Sequence, residues 1–249
     1  MALNQNKILS KVISVYKPGG LTPLQTLDLL RKKFPEYNNE KLSYAGRLDP
    51  LASGVMLVLV GEGNFEREKY LALPKVYQAQ ILLGVSTDTG DVLGLVQETS
   101  KGVLDIDRSN LENIIRSCVG VFEQEYPQFS SPKIAGATIL TRQVEIVSIT
   151  LDDIDTVSSD QLSEQVADRV TKVVGDFRQR DILDKWDHVR GQLQKKLPLL
   201  TITVTTGSGV YIRSLAERVG EELGFPALAY SIKRLSVGDY AIDTALRLE

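Results

Sequence analysis

The stretch YAGRLDPLASG, residues 44–54, runs straight into VMLVLV, residues 55–60. The second part is a continuous apolar run of strand length, which predicts a buried β-strand. The first part is a loop punctuated by glycine and proline. Asp49 therefore stands at the mouth of a strand, where a sheet holds a side chain still enough for chemistry. Taken alone, Asp49 is better read as a turn aspartate that bonds its own backbone. Gly46, Pro50 and Gly54 add weight for a shaped functional loop.

Working outward, residues 8–16 predict a strand and Lys17-Pro18-Gly19-Gly20 a turn. Thr22 caps a helix, with Pro23 at its first position and Gln25 placed for a capping box. Leu24, Leu27, Leu30 and Phe34 form its apolar stripe, and Pro35 ends it. Residues 77–83 and 92–97 predict two strands around the turn GVSTDTGDVLG, residues 84–94. Residues 111–118 predict a helix and residues 144–151 a strand. Residues 152–198 are acidic and of mixed pattern, with an amphipathic helix over 181–193 carrying Leu183, Trp186 and Leu193. Residues 200–205 alternate as a strand. A helix with Leu215, Val219 and Leu223 at four-residue steps follows, stopped by Gly224 and Pro226. Interleaved strands and helices with hairpin signals favour a mixed α/β (α+β) fold over a doubly wound parallel one.

The chain has 249 residues, 43% hydrophobic and 24% charged, the profile of an ordinary globular protein. Its single cysteine, Cys118, excludes an internal disulfide and fits a reducing compartment, so a cytoplasmic protein is expected. No apolar run approaches the ~20 residues of a membrane span. Net charge is -3, yet residues 1–75 hold eleven Lys/Arg against seven Asp/Glu. Residues 150–187 hold ten Asp/Glu against five Lys/Arg. A local field of that kind matters more for docking a polyanion than the total does.

His188 is the only histidine, which excludes histidine triads and multi-histidine metal sites. Gly61-Glu62-Gly63 lacks the third glycine of a dinucleotide loop, and no phosphate-binding GxxxxGK[ST] loop occurs. No metal, no nucleotide and no other cofactor is expected. Asp88-Thr89-Gly90 matches an aspartic-protease triplet, but such a site needs two copies and the chain has one, so a hairpin turn is the better reading. Arg213 falls in a first helical turn, where a cation opposes the helix dipole. It is either a surface arginine or the partner of a carboxylate such as Asp49.

Several segments in order resemble the TruB-type pseudouridine synthases. Lys17-Pro18-Gly19-Gly20-Leu21-Thr22 is similar to that family's KPxGxx[ST] turn, and GRLDPLASG to its G(T/A)LDPLA(T/S)G catalytic motif. Lys75-Val76-Tyr77 is similar to its K-x-Y, GVSTDTGD to its G-x-x-T-D-T-x-D hairpin, and PQFSSPKIAG (127–136) to a shortened PPxxSAxKxxG. Gly209 to Arg213 resembles G-T-Y-I-R, and IKRLSVG (232–238) the closing L-R-R-x-x-V-G.

The resemblance implies a single pseudouridine synthase catalytic domain over 1–249, built on a mixed, mainly antiparallel sheet flanked by helices. Residues 152–198 would be an insertion within it. It implies an isomerase acting on uridine 55 of the TΨC loop of tRNA, with the base flipped out of its stack. Asp49 would be the nucleophile, Tyr77 would stack on the base, and Arg213 would pair with Asp49. Tyr44, Arg47, Tyr211, Lys17 and Lys75 would complete the substrate site, with Lys17 and Pro18 supporting the catalytic loop. The partner would be the T-arm of tRNA, met by the basic N-terminal part, and the protein would act as a monomer away from membranes. Tyr44 stands where histidine is usual, and Arg47 where a small residue is usual. The chain stops soon after Gly238, so the C-terminal RNA-binding domain of many members is expected to be missing. The alternatives are the same chemistry on another tRNA or ribosomal uridine, and a tRNA-binding folding chaperone.

Overall fold

The apolar run at residues 55–60 is a strand covered on both sides, which is why it lacks the alternation of a half-exposed one. Val55, Leu57 and Leu59 point into one cluster and Met56 and Val58 into another. The computed structural model describes residues 10–101, 106–127, 129 and 141–248.

In chain order the elements are as follows. Strand β1 (Val12–Lys17) leads through the Gly19-Gly20 turn to helix α1 (Pro23–Lys33). Strands β2 (Leu42–Ala45) and β3 (Ser53–Val60) flank the Asp49 loop. Short helix α2 (Arg67–Ala72) precedes β4 (Lys75–Leu83), the hairpin strands β5 (Val85–Thr87) and β6 (Val96–Thr99), and α3 (Arg108–Ser117). Strands β7 (Gly120–Glu125) and β8 (Thr141–Ser158) are followed by α4 (Ser159–Thr171) and α5 (Gln179–Arg190). Strand β9 (Lys196–Thr206), helix α6 (Ile212–Leu223), β10 (Ala227–Val237) and β11 (Tyr240–Ala241) complete the chain.

The main sheet runs β1-β3-β10-β4-β9-β8-β7, with β2 added on β3 and β11 on β10. Among the described residues, the β10–β3 strand pair of this sheet is parallel and its other strand pairs are antiparallel. This is the mixed, mainly antiparallel sheet flanked by helices that the resemblance implies. Helices α3 and α6 cover one face, around Ala79, Ile81, Ile202 and Val204. The other face carries α4, α5 and the β5–β6 hairpin, packed on Leu82, Leu197 and Leu228. The capping box is present: the Gln25 amide donates to Thr22 Oγ1 at 3.2 Å and the Thr22 amide to Gln25 Oε1 at 2.7 Å.

Several elements differ from expectation. Leu24 is 63% exposed, because the buried arc of α1 is Pro23, Thr26, Leu27 and Leu30 and Leu24 lies about a quarter-turn off it. Residues 92–95 are not strand: β6 begins at Val96, and β5 and β6 pair in a small separate sheet while β4 lies between β10 and β9. Strand β8 runs on past Leu151 to Ser158, so the acidic segment starts as sheet before its two helices. Strand β10 sits near the middle of the sheet although Lys233 and Arg234 interrupt its apolar pattern.

Candidate active site

The parallel approach of β10 to β3 shapes the Asp49 loop. A Cβ at Gly54, where φ is +112°, would lie 2.1 Å from the Arg234 carbonyl oxygen, so glycine is required there. From β10 the fully buried Arg234 reaches back. Its Nε donates to the Val55 carbonyl at 2.6 Å and its Nη2 to the Gly46 carbonyl at 3.0 Å. Sequence reasoning saw this arginine only as part of a closing motif. Its signal is a charged residue inside an otherwise apolar strand, which must satisfy its donors indoors.

The other side of the loop is held by Lys17. Its Nζ is buried and donates to the carbonyls of Pro18, Leu21 and Pro50, the last at 3.1 Å. The Gly20 amide adds a bond to the Pro50 carbonyl at 2.9 Å. Burial pulls the Lys17 pKa down to about 7, partly opposed by Asp49 and assisted by Arg234. Lys17 thus lies beneath the loop and does not line the cleft.

Asp49 and Arg213, 164 positions apart, meet in the fold. Arg213 Nε donates to Asp49 Oδ2 at 2.9 Å, and Nη2 lies 3.5 Å from Oδ1. Arg213 Nη1 donates to the Thr89 carbonyl in the β5–β6 hairpin. The arginine side chain is 4% exposed and the aspartate 28%, so the cation is sealed while the carboxylate faces open space. Burial works against the Arg213 charge, but Asp49 and Asp91 outweigh it and lift its pKa above the ordinary guanidinium value. The ion pair also offsets the placement of a cation in the first turn of α6.

Asp91, read from sequence as part of a turn, belongs to this group. It is buried; its Oδ1 accepts from the Leu93 amide at 2.9 Å and from Thr89 Oγ1 at 2.9 Å. Burial raises its pKa, opposed by Arg213 and reinforced by Asp49. The hairpin is a turn, as predicted, but one that presents a carbonyl and a carboxylate to Arg213.

Asp49 opens into a cleft of about 470 Å³ lined by Arg47, Lys75, Tyr77, Tyr211, Arg213 and Arg234, among others. Tyr77 enters from β4, paired across to Arg234 and Val204. The Lys75 ammonium donates to the carbonyls of Leu71 and Leu73, and burial, with Arg234 and Arg142 nearby, lowers its pKa to about 8. The Tyr211 amide donates to Gln124 Oε1 at 3.0 Å, and its ring packs edge-on against Tyr126 at 6.2 Å. Gln124, buried on β7, also donates to the Gly209 carbonyl at 3.3 Å and so pins the turn before α6.

Tyr44 is not brought to the cleft. It pairs with Val58, and both side chains face the cluster under α1, because neighbours across a pair share a sheet face. Most of the segment 127–136 lies outside the described residues. A larger hollow, about 810 Å³, lies over Gln78, Gln80 and Thr201 on the opposite sheet face, and none of Asp49, Tyr77 and Arg213 lines it. Convergent charge, and not size, locates the site. Among the described residues no group of His, Cys, Asp or Glu side chains is arranged to hold a metal ion, and no helix is long and apolar enough to cross a membrane.

Residues 31–154 match the TruB family pseudouridylate synthase (N terminal domain). The chain is 30% identical over 236 residues to tRNA pseudouridine synthase B of Thermosipho melanesiensis, covering 94% of this chain and 66% of that protein. The chain belongs to the TruB family of pseudouridylate synthases. It is also 28% identical over 241 residues to tRNA pseudouridine synthase B of Staphylococcus aureus (strain Newman), covering 96% of this chain and 70% of that protein. The chain thus spans roughly two thirds of the length of these curated relatives. Among solved structures it is similar to a Cbf5-Nop10-Gar1 complex, with a TM-score of 0.62 at 20% identity, covering 95% of this chain and 52% of that one. An archaeal box H/ACA sRNP Nop10-Cbf5 complex gives 0.57 at 19% identity, covering 95% and 51%. These two likenesses concern the fold. The family match takes in Asp49 and Tyr77 and ends before Arg213, so their meeting is the work of the fold.

Proposed function

We propose that this family member is a tRNA pseudouridine synthase that isomerises uridine 55 in the T loop. The observation that carries the reading is the sealed Arg213 pairing with a cleft-facing Asp49 beside Tyr77. The names of the curated relatives support tRNA as the substrate class.

The reaction breaks the C1′–N1 bond, turns the uracil, forms a C1′–C5 bond and releases the C5 proton to water; the proton gained at N1 keeps the balance. No redox partner is needed. Asp49 serves as the carboxylate that detaches the base from its ribose. Arg213 aims it, because a guanidinium bond to Oδ2 fixes the direction of the carboxylate. Tyr77 offers its ring to the base. A uridine in a stacked loop cannot reach the recessed Asp49, so it must swing out of the stack. Arg47, Arg67 and Arg142 line the same cleft and supply cations for the phosphates of the T-arm.

The test is to incubate the purified protein with a tRNA transcript and map pseudouridine at nucleotide resolution. Conversion at position 55, abolished when that uridine is replaced by cytidine, is expected. Conversion only at a different uridine would assign the chemistry to another target. Tight tRNA binding with no conversion at all would favour the chaperone.

A further inference from the structure

Besides its apolar packing and the Trp186 bond to the Gly94 carbonyl, the α4–α5 pair makes two polar contacts that bear on the catalytic apparatus from behind. In the connection between its helices, the Val174 amide donates to the Gly20 carbonyl at 3.0 Å, next to the turn that grips Pro50. At the start of α5, Arg178 Nη1 donates to Asp88 Oδ2 at 2.8 Å. Asp88 is a member of the hairpin that holds Arg213: its Oδ1 accepts from the Leu95 amide at 2.8 Å and closes the turn whose Thr89 carbonyl binds Arg213. The guanidinium of Arg178 also lies 4.8 Å from the ring centre of Phe129, which lines the cleft.

Two further facts single out this arginine. Its φ is +62°, and among the described residues it is the one non-glycine residue with positive φ. Glycine would adopt that backbone without strain, so an arginine there carries a conformational cost. Second, the Asp88 side chain is only 15% exposed against 36% for Arg178. A carboxylate that is mostly out of water and close in sequence to Asp91 needs a cation, and Arg178 supplies it.

We propose that Arg178 is a positioning residue: through Asp88 it sets the hairpin that holds Arg213, and so the aim of Asp49, while its stack on Phe129 fixes one wall of the cleft. The inference rests on the proposed pseudouridine synthase reading and deepens it. The pair of helices then tunes the reaction without touching the reacting atoms.

The experiment compares wild type with Arg178→Ala, Arg178→Lys, Asp88→Asn and the Ala/Asn double variant. It measures single-turnover tritium release from a 5-tritiated T-arm transcript, affinity for that RNA, and hydrogen exchange across residues 88–95. Arg178→Ala and Asp88→Asn should each slow the single turnover about 10–100-fold, the scale of a small misplacement of a reacting group. RNA affinity should stay within about twofold of wild type, the double variant should be no slower than the worse single one, and lysine should restore part of the rate. Hydrogen exchange at the hairpin should quicken in Arg178→Ala. Rates within about twofold of wild type, a loss confined to RNA affinity, or additive losses in the double variant would overturn the inference. Unchanged exchange at the hairpin would overturn it even if the wild type released no tritium, a result that would separately sink the proposed function.

Discussion

In the floor of the cleft, Arg213 is almost sealed from water and bonds Asp49 and the Thr89 carbonyl together. On the α4–α5 pair, Arg190 meets Asp160 with side chains 47% and 72% exposed. The two ion pairs look alike on paper and do different things. In the floor every partner is needed, because an unpaired buried charge is costly. On the helices water can replace either partner, so the pair contributes little. What holds the helices is apolar: Trp186 is buried with Leu162, Val166 and Val170, and its Nε1 donates to the Gly94 carbonyl at 3.2 Å. Charge organises the site, and packing attaches the helices that back it.

The largest expected departure is at Arg213. Arg213→Ala should slow single-turnover tritium release at least about 1,000-fold, because it strips Asp49 of its charge partner inside a low-dielectric floor. A rate near wild type would show that the buried pair is not the working unit. Next comes Trp186→Ala, which should destabilise the fold by about 3–5 kcal/mol in urea unfolding, the usual cost of emptying a large core position. A loss much below that would mean the helices are held by their charges after all.

Smaller and pH-dependent is the contribution of Lys17. Its pKa is about 7 in the folded protein against 10.5 for an exposed lysine. Between those values the unfolded chain binds the extra proton, so stability rises with pH across that window and the gain is lost as pH falls through 7. Relative to Lys17→Met, wild type should gain about 2 kcal/mol between pH 7 and pH 9 in urea unfolding. A flat or falling difference would mean that the three carbonyls keep Lys17 charged throughout. Smallest is Arg190→Ala, for which melting and tritium release should both match wild type; a clear loss in either would erase the contrast between the two regions.

The parts of this fold that depend on neighbours in sequence were legible. The Thr22–Gln25 capping box, the buried run after Gly54 and the stop at Gly224 follow from local rules, and the structure has all three. Helix α4 had a readable signal that composition obscured: Ser158 with Gln161 as a capping box, then Leu162, Val166 and Val170 at four-residue steps within acidic sequence. Strand β10 was hidden because Arg234 is buried for a reason that no local pattern carries, its bonds to Val55 and Gly46 being 179 and 188 positions away. Asp49 and Arg213 were each nameable, but their meeting needed the sheet between them. Tyr44 shows the reverse: a resemblance placed it at the substrate, and strand alternation turned it under α1. Lys17 was named for both substrate and loop, and its position is beneath the loop.

The proposed reaction turns on Asp49 as the carboxylate that frees the base. The direct measurement is single-turnover tritium release from a 5-tritiated T-arm transcript by wild type and by Asp49→Asn, which keeps the shape and removes the charge. Wild type should expel the label, and Asp49→Asn should do so at least about 10,000-fold more slowly while binding the RNA as well as wild type does. Tritium release by Asp49→Asn at a rate comparable to wild type would contradict the account.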